Sequence, residues 1–115
     1  KEFIMTIINL TPHALAIYDL DGMTLLQTIQ SSGMARLSET VTDTGDTLEG
    51  IPVVEIVRDA SGITGVPEPA DDTIFVVSDM AFGPLRASGR TDIFRPGVAV
   101  RNETGQIIGC KGLSI

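Results

Sequence analysis

The sequence predicts a mainly β fold: a small β-barrel or β-sandwich with two hairpins and one short helical segment near residues 79–88. Three observations lead there. Apolar runs are short, about four to eight residues, and each is stopped by Gly, Pro, Asn or Asp. Two of the stops, Asp19-Leu20-Asp21-Gly22 and Asn102-Glu103-Thr104-Gly105, have the make-up of hairpin turns, with a glycine free to take positive φ. Only one stretch, Ser78 to Gly89, carries helix start and stop residues, and there is no heptad, internal repeat or low-complexity segment.

In chain order, Phe3–Ile8 reads as a first strand, ended by Asn9 and Pro12. Ala14–Tyr18 and Met23–Ile29 flank the Asp19–Gly22 turn and form the clearest hairpin. After the Ser31-Ser32-Gly33 loop, Ala35, Leu37 and Val41 alternate with Arg36, Ser38 and Thr40, which predicts a half-buried strand with Glu39 as the exception on its apolar face. Thr42–Gly50 is polar and Gly/Asp-rich, so it reads as a loop or an exposed edge. Ile51–Val57 is a further strand, with Pro52 suited to an edge or entry position. Asp59–Asp72 holds two glycines and two prolines and is expected to be irregular. Thr73–Val77 is a strand leading into Ser78, an N-cap residue, with Asp79 favourable in the first helical turn. Gly83-Pro84 conflicts with that helix, because proline removes a backbone donor and clashes with the preceding turn. The segment is therefore expected as a kinked helix or two short turns. Gly97–Arg101 and Gln106–Cys110 make the second hairpin.

At 115 residues the chain is one domain's worth of sequence. Residues 1–4 read as an appended remnant and 5–115 as a single globular domain, since Met5-Thr6-Ile7-Ile8-Asn9-Leu10 is a natural opening. Hydrophobic residues make up 43% but aromatics only 4%, so the core must be aliphatic. A mean hydropathy of +0.25 in so small a chain predicts that it buries surface against copies of itself, as a homo-oligomer. The net charge of −7 comes with eight basic residues scattered from Lys1 to Lys111. That pattern excludes the clustered basic surface that nucleic-acid polymers require, and it disfavours anionic lipid. No apolar run approaches the roughly 20 residues of a membrane span, and the start lacks the apolar core of a signal peptide. A lone Cys110 forbids an intrachain disulfide and suits a reducing cytoplasm. It reads as a small buried hydrophobe in an apolar terminal strand.

Candidate chemistry is sparse. Ile17-Tyr18-Asp19-Leu20-Asp21-Gly22-Met23-Thr24 resembles the first motif of haloacid-dehalogenase-type phosphatases, where two aspartates serve as nucleophile and acid/base beside Mg²⁺. Met23 spoils the spacing, the later Lys and acidic pair are missing, and a strand follows where that fold needs a helix. Asp-Gly also suits a hairpin turn for backbone reasons alone. His13 is the only histidine. Either Asn9 or Thr11 satisfies the turn backbone while His13 reaches a nearby carbonyl, or His13 contacts a ligand, or it acts as a base. One His and one Cys do not make a zinc site, and no metal or cofactor is expected. Arg86, Arg90 and Arg95 lie within ten residues of one another beside the Ser78 turn, and arginine forks suit phosphate or carboxylate. The plainer reading of that stretch is a surface Arg90–Asp92 pair.

Asn9-Leu10-Thr11-Pro12-His13 near the start, Thr73–Ser78 followed by Gly89-Arg90-Thr91-Asp92 and Pro96-Gly97, and Gly105-Gln106-Ile107-Ile108-Gly109-Cys110 near the end form a combined pattern. It resembles a family of small proteins of phages, prophages and other bacterial mobile elements, over nearly the whole chain after Met5. The resemblance implies no particular reaction. It implies a setting inside a bacterial host, and by analogy with counter-defence proteins it raises the capture of small signalling nucleotides.

The leading expectation is a non-enzymatic binding module for a small anionic ligand, a nucleotide included. Asn9, His13, Ser78, Arg86, Arg90, Asp92 and Arg95 are its candidate residues. The alternative is a structural or protein-interaction subunit, such as an inhibitor of a host protein, motivated by the acidic surface and the 43–50 segment. The third is a Mg²⁺-dependent phosphatase using Asp19 and Asp21.

Overall fold

Residue Val76 is fully buried in the middle of a sheet that nearly closes on itself. The computed structural model describes residues 5–115, so residues 1–4 and the start of the first strand at Phe3 lie outside the described residues. The strands, in order, are β1 (Thr6–Asn9), β2 (Leu15–Tyr18), β3 (Leu25–Ile29), β4 (Arg36–Leu37), β5 (Thr40–Leu48), β6 (Ile51–Val57), β7 (Ile63–Thr64), β8 (Thr73–Val76), β9 (Ile93–Arg101) and β10 (Ile107–Ser114). Among the described residues a single α-helix, α1 (Asp79–Ala87), stands between β8 and β9, and a 3₁₀ turn spans Ala60–Gly62.

Six strands form the main sheet in the order β1-β8-β9-β10-β2-β3. A parallel bridge between Asn9 and Ser31 brings its two ends together, which makes the mainly β fold a barrel rather than a sandwich. The sequence explains β8. Ile74, Phe75, Val76 and Val77 are all buried although neighbours point to opposite faces. A strand covered on both faces needs an unbroken apolar run, and here it lies between two parallel neighbours, β1 and β9. Phe75 and Val77 face a core with Leu10, Ala35, Ile93 and the helix residues Ala81 and Leu85.

The helix forms in one piece, not as two turns. Pro84 forfeits a bond to the carbonyl four residues back, that of the exposed Met80, where water is available. Gly83 precedes it without the Cβ that clashes with a proline ring, which relieves the usual bar on helical backbone before proline. Ser78 is the N-cap residue but its side chain makes no capping bond; its carbonyl accepts from Ala81 and Phe82. At the other end the Gly89 N–H donates to Arg86 and the Arg90 N–H to Leu85, with Gly89 at φ +100°, a closing motif that favours glycine.

Both expected hairpins are present: β2–β3 and β9–β10. The expected strand across residues 35–41 breaks into two. Arg36-Leu37 pairs with Ile63-Thr64 in a small sheet, so the irregular 59–72 stretch contains a short strand as well as the 3₁₀ turn. Thr40 onward belongs to a third hairpin that sequence reasoning missed. β5 and β6 pair only with each other, Thr40 opposite Val57 and Leu48 opposite Ile51. The chain reverses at Glu49-Gly50, both at positive φ, in the sense that matches the twist of a two-residue hairpin. A bulge between Asp43 and Thr47 interrupts the ladder, and there Thr44 Oγ1 donates to the Val53 carbonyl at 2.8 Å.

This hairpin is an arm. Val41, Leu48, Ile51, Val54, Ile56 and Val57 are all exposed along it. The chain's radius of gyration is 17.6 Å, and its longest axis spans 56 Å. A compact chain of this length has a radius of about 13 Å.

Candidate functional site

The Asn9-Leu10-Thr11-Pro12-His13 turn is built around a buried amide. Asn9 is completely inaccessible. Its Nδ2 donates to the carbonyls of His13 at 2.8 Å and Ile29 at 3.0 Å. Its Oδ1 accepts from the Thr11 N–H at 2.9 Å and the Thr11 hydroxyl at 2.6 Å. All four hydrogen-bonding positions are filled from within, so Asn9 is a structural clamp joining β1, the turn and the end of β3. The turn reading of Asn9 and Thr11 is what the structure shows. His13 enters that network through its carbonyl, and its imidazole is left at the exposed surface.

The structure gives the three arginines different polar partners, although Arg86 and Arg95 share the Phe82 ring. Arg90 makes a two-pronged contact with Asp92, Nε to Oδ1 at 2.9 Å and Nη2 to Oδ2 at 2.7 Å. Both side chains are mostly covered, at 18% and 16% exposure, so this pair is more buried than a surface pair. The hydrogen bonds hold the Asp92 carboxyl below its usual range and push the Arg90 guanidinium up. Arg90 also lies over the Phe75 ring, 5.6 Å from its centroid. Arg86 is wedged between Phe82 and Phe94, at 5.6 and 5.5 Å, and its Nε donates to the Ile93 carbonyl. Arg95 lies 4.5 Å over Phe82, with Nη1 3.7 Å from Asp79 and Nε 3.4 Å from the Ser114 hydroxyl.

Two adjoining crevices gather the remaining candidates. One, of about 330 Å³, is lined by Thr11, Pro12, His13, Ser78 and Asp79, and by Pro96-Gly97. The other, of about 570 Å³, shares Asp79, Pro96 and Gly97 and adds Arg95 and Lys111. So His13 and Ser78 line one crevice and Arg95 the adjoining one, while Asn9, Arg86, Arg90 and Asp92 are committed elsewhere. Next to these lies a third, largely apolar groove of about 490 Å³ on the β2, β9 and β10 strands. Leu15, Ala16, Ala99, Ile107, Ile108 and Cys110 are among its walls, as is His13. Burial pushes the Cys110 thiol up, and a hydrogen bond from Gly97 pulls the other way. A poorly ionised, covered thiol is a packing group, in line with the reading from sequence.

Asp19 and Asp21 build the β2–β3 turn. The Leu20 N–H donates to Asp19 Oδ1, and the N–H groups of Met23 and Thr24 donate to Asp21 Oδ1. Thr24 Oγ1 donates to Asp21 Oδ2 at 2.7 Å. Thr24's hydroxyl first, then the two N–H groups, lower the Asp21 carboxyl to about 2. A carboxyl with its folded pKa below the unfolded 3.8 stabilises the fold above that value, and the contribution fades as pH falls through about 2. Carboxyl-detected NMR should therefore find Asp21 titrating near 2, and Thr24→Val should move it upward. A midpoint at the ordinary value in the unaltered chain would contradict this turn geometry.

Sequence reasoning missed the arm and Lys111. The available signal for the arm was Glu49-Gly50 set between Leu48 and Ile51, two apolar residues with a turn pair between them. Among the described residues no group of three His, Cys, Asp or Glu side chains is arranged to hold a metal, and no helix is long and apolar enough to cross a membrane. Comparison with protein-family models, curated proteins and solved structures gives no match.

Proposed function

We propose that this chain is a protein-interaction subunit: a small barrel that holds out an apolar arm for another protein surface. The arm carries this reading. A two-stranded hairpin alone is marginal in water and needs something to cover a face. Here Val41 lies opposite Ile56 and Asp43 opposite Val54 on one face, with Val57 and Ile51 on the other, and all stand in solvent. A chain has no reason to keep that many aliphatic side chains on a projecting ribbon unless a partner removes them from water. The total exposed surface supports the same reading: 7904 Å², against about 6,100 Å² for a compact chain of this mass.

The test is an arm-excised chain with residues 41–56 replaced by a short Gly/Ser turn. Because β5 and β6 pair only with each other, the barrel keeps its own ladders. The intact chain should retain a partner in bacterial lysate, or itself by light scattering, that the excised chain loses. An unchanged partner set sinks the reading. The resemblance to phage and mobile-element proteins supports a setting in a bacterial cytoplasm.

The earlier reading, a small anionic ligand, retains one supporting observation: His13, Ser78 and Arg95 converge on adjoining crevices beside the start of α1. Asp79 stands between them and repels a bare anion, so a ligand with both an anionic and a donor group fits better. Thermal unfolding in the presence of mononucleotides should then show stabilisation that Arg95→Ala removes. No shift with any of them refutes this second reading.

A further inference from the structure

From the same chain's charge and shape we infer that the partner covering the arm is a second copy, and that the arm of one copy seats in the apolar groove over β2, β9 and β10 of the other. This rests on reading the arm as a docking element. Residues 40–57 contain Asp43, Asp46, Glu49 and Glu55 and no basic residue. Two arms laid together would oppose like charges, which disfavours an arm-to-arm contact. The groove's own walls hold no carboxylate to repel an acidic ribbon, while the adjoining crevice mixes signs, with Arg95 and Lys111 beside Asp79. An aliphatic ribbon and an apolar groove whose walls carry no like charge fit each other.

The groove is also left unfilled by the described residues of its own chain. Exposed Ile107 and Ile108 of β10 line it, and neither strand of the arm pairs with the barrel. The surface in excess of a compact chain, about 1,800 Å² per copy, exceeds the roughly 800 Å² each partner hides in a standard interface. A contact that removes an arm and a groove from water on every copy brings the chain to ordinary burial. Two copies can exchange arms reciprocally and close a dimer, or pass them head to tail and close a ring.

Sedimentation of the full chain decides it, together with a benzophenone side chain placed at Val54 in mixtures of isotope-labelled and unlabelled protein. The unaltered chain should sediment as a multimer. Both Val54→Asp/Ile56→Asp in the arm and Ile108→Asp in the groove should sediment at monomer mass. Ile107→Asp, at a more exposed position, serves if Ile108→Asp does not fold by circular dichroism. Photocrosslinks should join labelled to unlabelled chains at peptides containing residues 96–99 or 107–110. A monomeric unaltered chain overturns self-docking while leaving the arm free to bind another protein. A multimer that survives the arm substitutions overturns both this inference and the reading beneath it. A multimer lost by the arm variant but kept by both groove variants, or crosslinked arm to arm, overturns the groove alone.

Discussion

Asn9→Ala is expected to destabilise the chain by about 3–5 kcal/mol, the sum of several buried groups left without partners at roughly 1–3 kcal/mol each. The side chain is fully buried and satisfies the carbonyls of His13 and Ile29 and both donors of Thr11. Alanine fills little of the space and none of the bonds. A domain of this length has a total stability of about 6–17 kcal/mol, so the loss takes a large share of it. Chemical denaturation should show it directly, and the Tm should fall by about 15 °C or more. Asn9→Asp separates the bonding from the volume. A carboxylate keeps the acceptor for Thr11 but turns an anionic oxygen toward two carbonyls at 2.8 and 3.0 Å. That variant should be at least as damaging at neutral pH and should recover in part under acid, where a protonated carboxyl donates again. A loss below about 1 kcal/mol for Asn9→Ala, the scale of an ordinary surface change, would show that the clamp does not hold the barrel closed.

What the sequence disclosed follows from the range of the interactions involved. The Asp19–Gly22 turn is fixed by its own side chains: Asp21 ties down Met23 and Thr24 within three residues. The 102–105 turn is fixed in the same way by Asn102, whose Oδ1 accepts from Thr104 and Gln106. Local chemistry of that kind is readable without a fold. The helix was readable at its ends but not through Gly83-Pro84, because the sign of that pair depends on whether Met80's carbonyl meets solvent. The parallel partners of β8 and the closing bridge at Ser31 join residues far apart in sequence, and no local pattern encodes them. The arm was hidden for a different reason. Its inner strand is Thr, Asp and Gly, a loop composition, and it forms a strand only because Ile51–Val57 lies against it. The candidate site suffered the same limit. Proximity in sequence suggested that Arg86, Arg90 and Arg95 act together, but Arg86 lies on the helix, Arg90 follows its end, and Arg95 lies along β9. Arg90 pairs with Asp92 and Arg95 faces Asp79, while Arg86 and Arg95 lie over the same Phe82 ring.

Gly97→Ala should destabilise the chain by about 3 kcal/mol, the upper end of what forcing extra atoms into a packed site costs. A Cβ on Gly97 would lie 2.0 Å from the Lys111 carbonyl oxygen and 2.9 Å from that of Gly112. Both obstacles are backbone, so no rotamer change relieves the clash, and β9 must move away from β10. The neighbouring Val98→Ala, at 72% exposure, should stay within about 0.5 kcal/mol and so controls for a change in this strand. Cys110 reports where the damage falls. It pairs with Ala99 in the same ladder, is 4% exposed, and takes a hydrogen bond from Gly97. In the unaltered chain it should resist a thiol reagent; in Gly97→Ala it should react faster while the helical circular-dichroism signal persists. The same displacement deforms the groove whose wall includes Gly97 and Cys110, so self-association should weaken in step with thiol exposure. A Gly97→Ala chain with native stability and a protected Cys110 would mean that the two strands lie farther apart than this geometry holds, and the groove over β2, β9 and β10 would lose its defined floor.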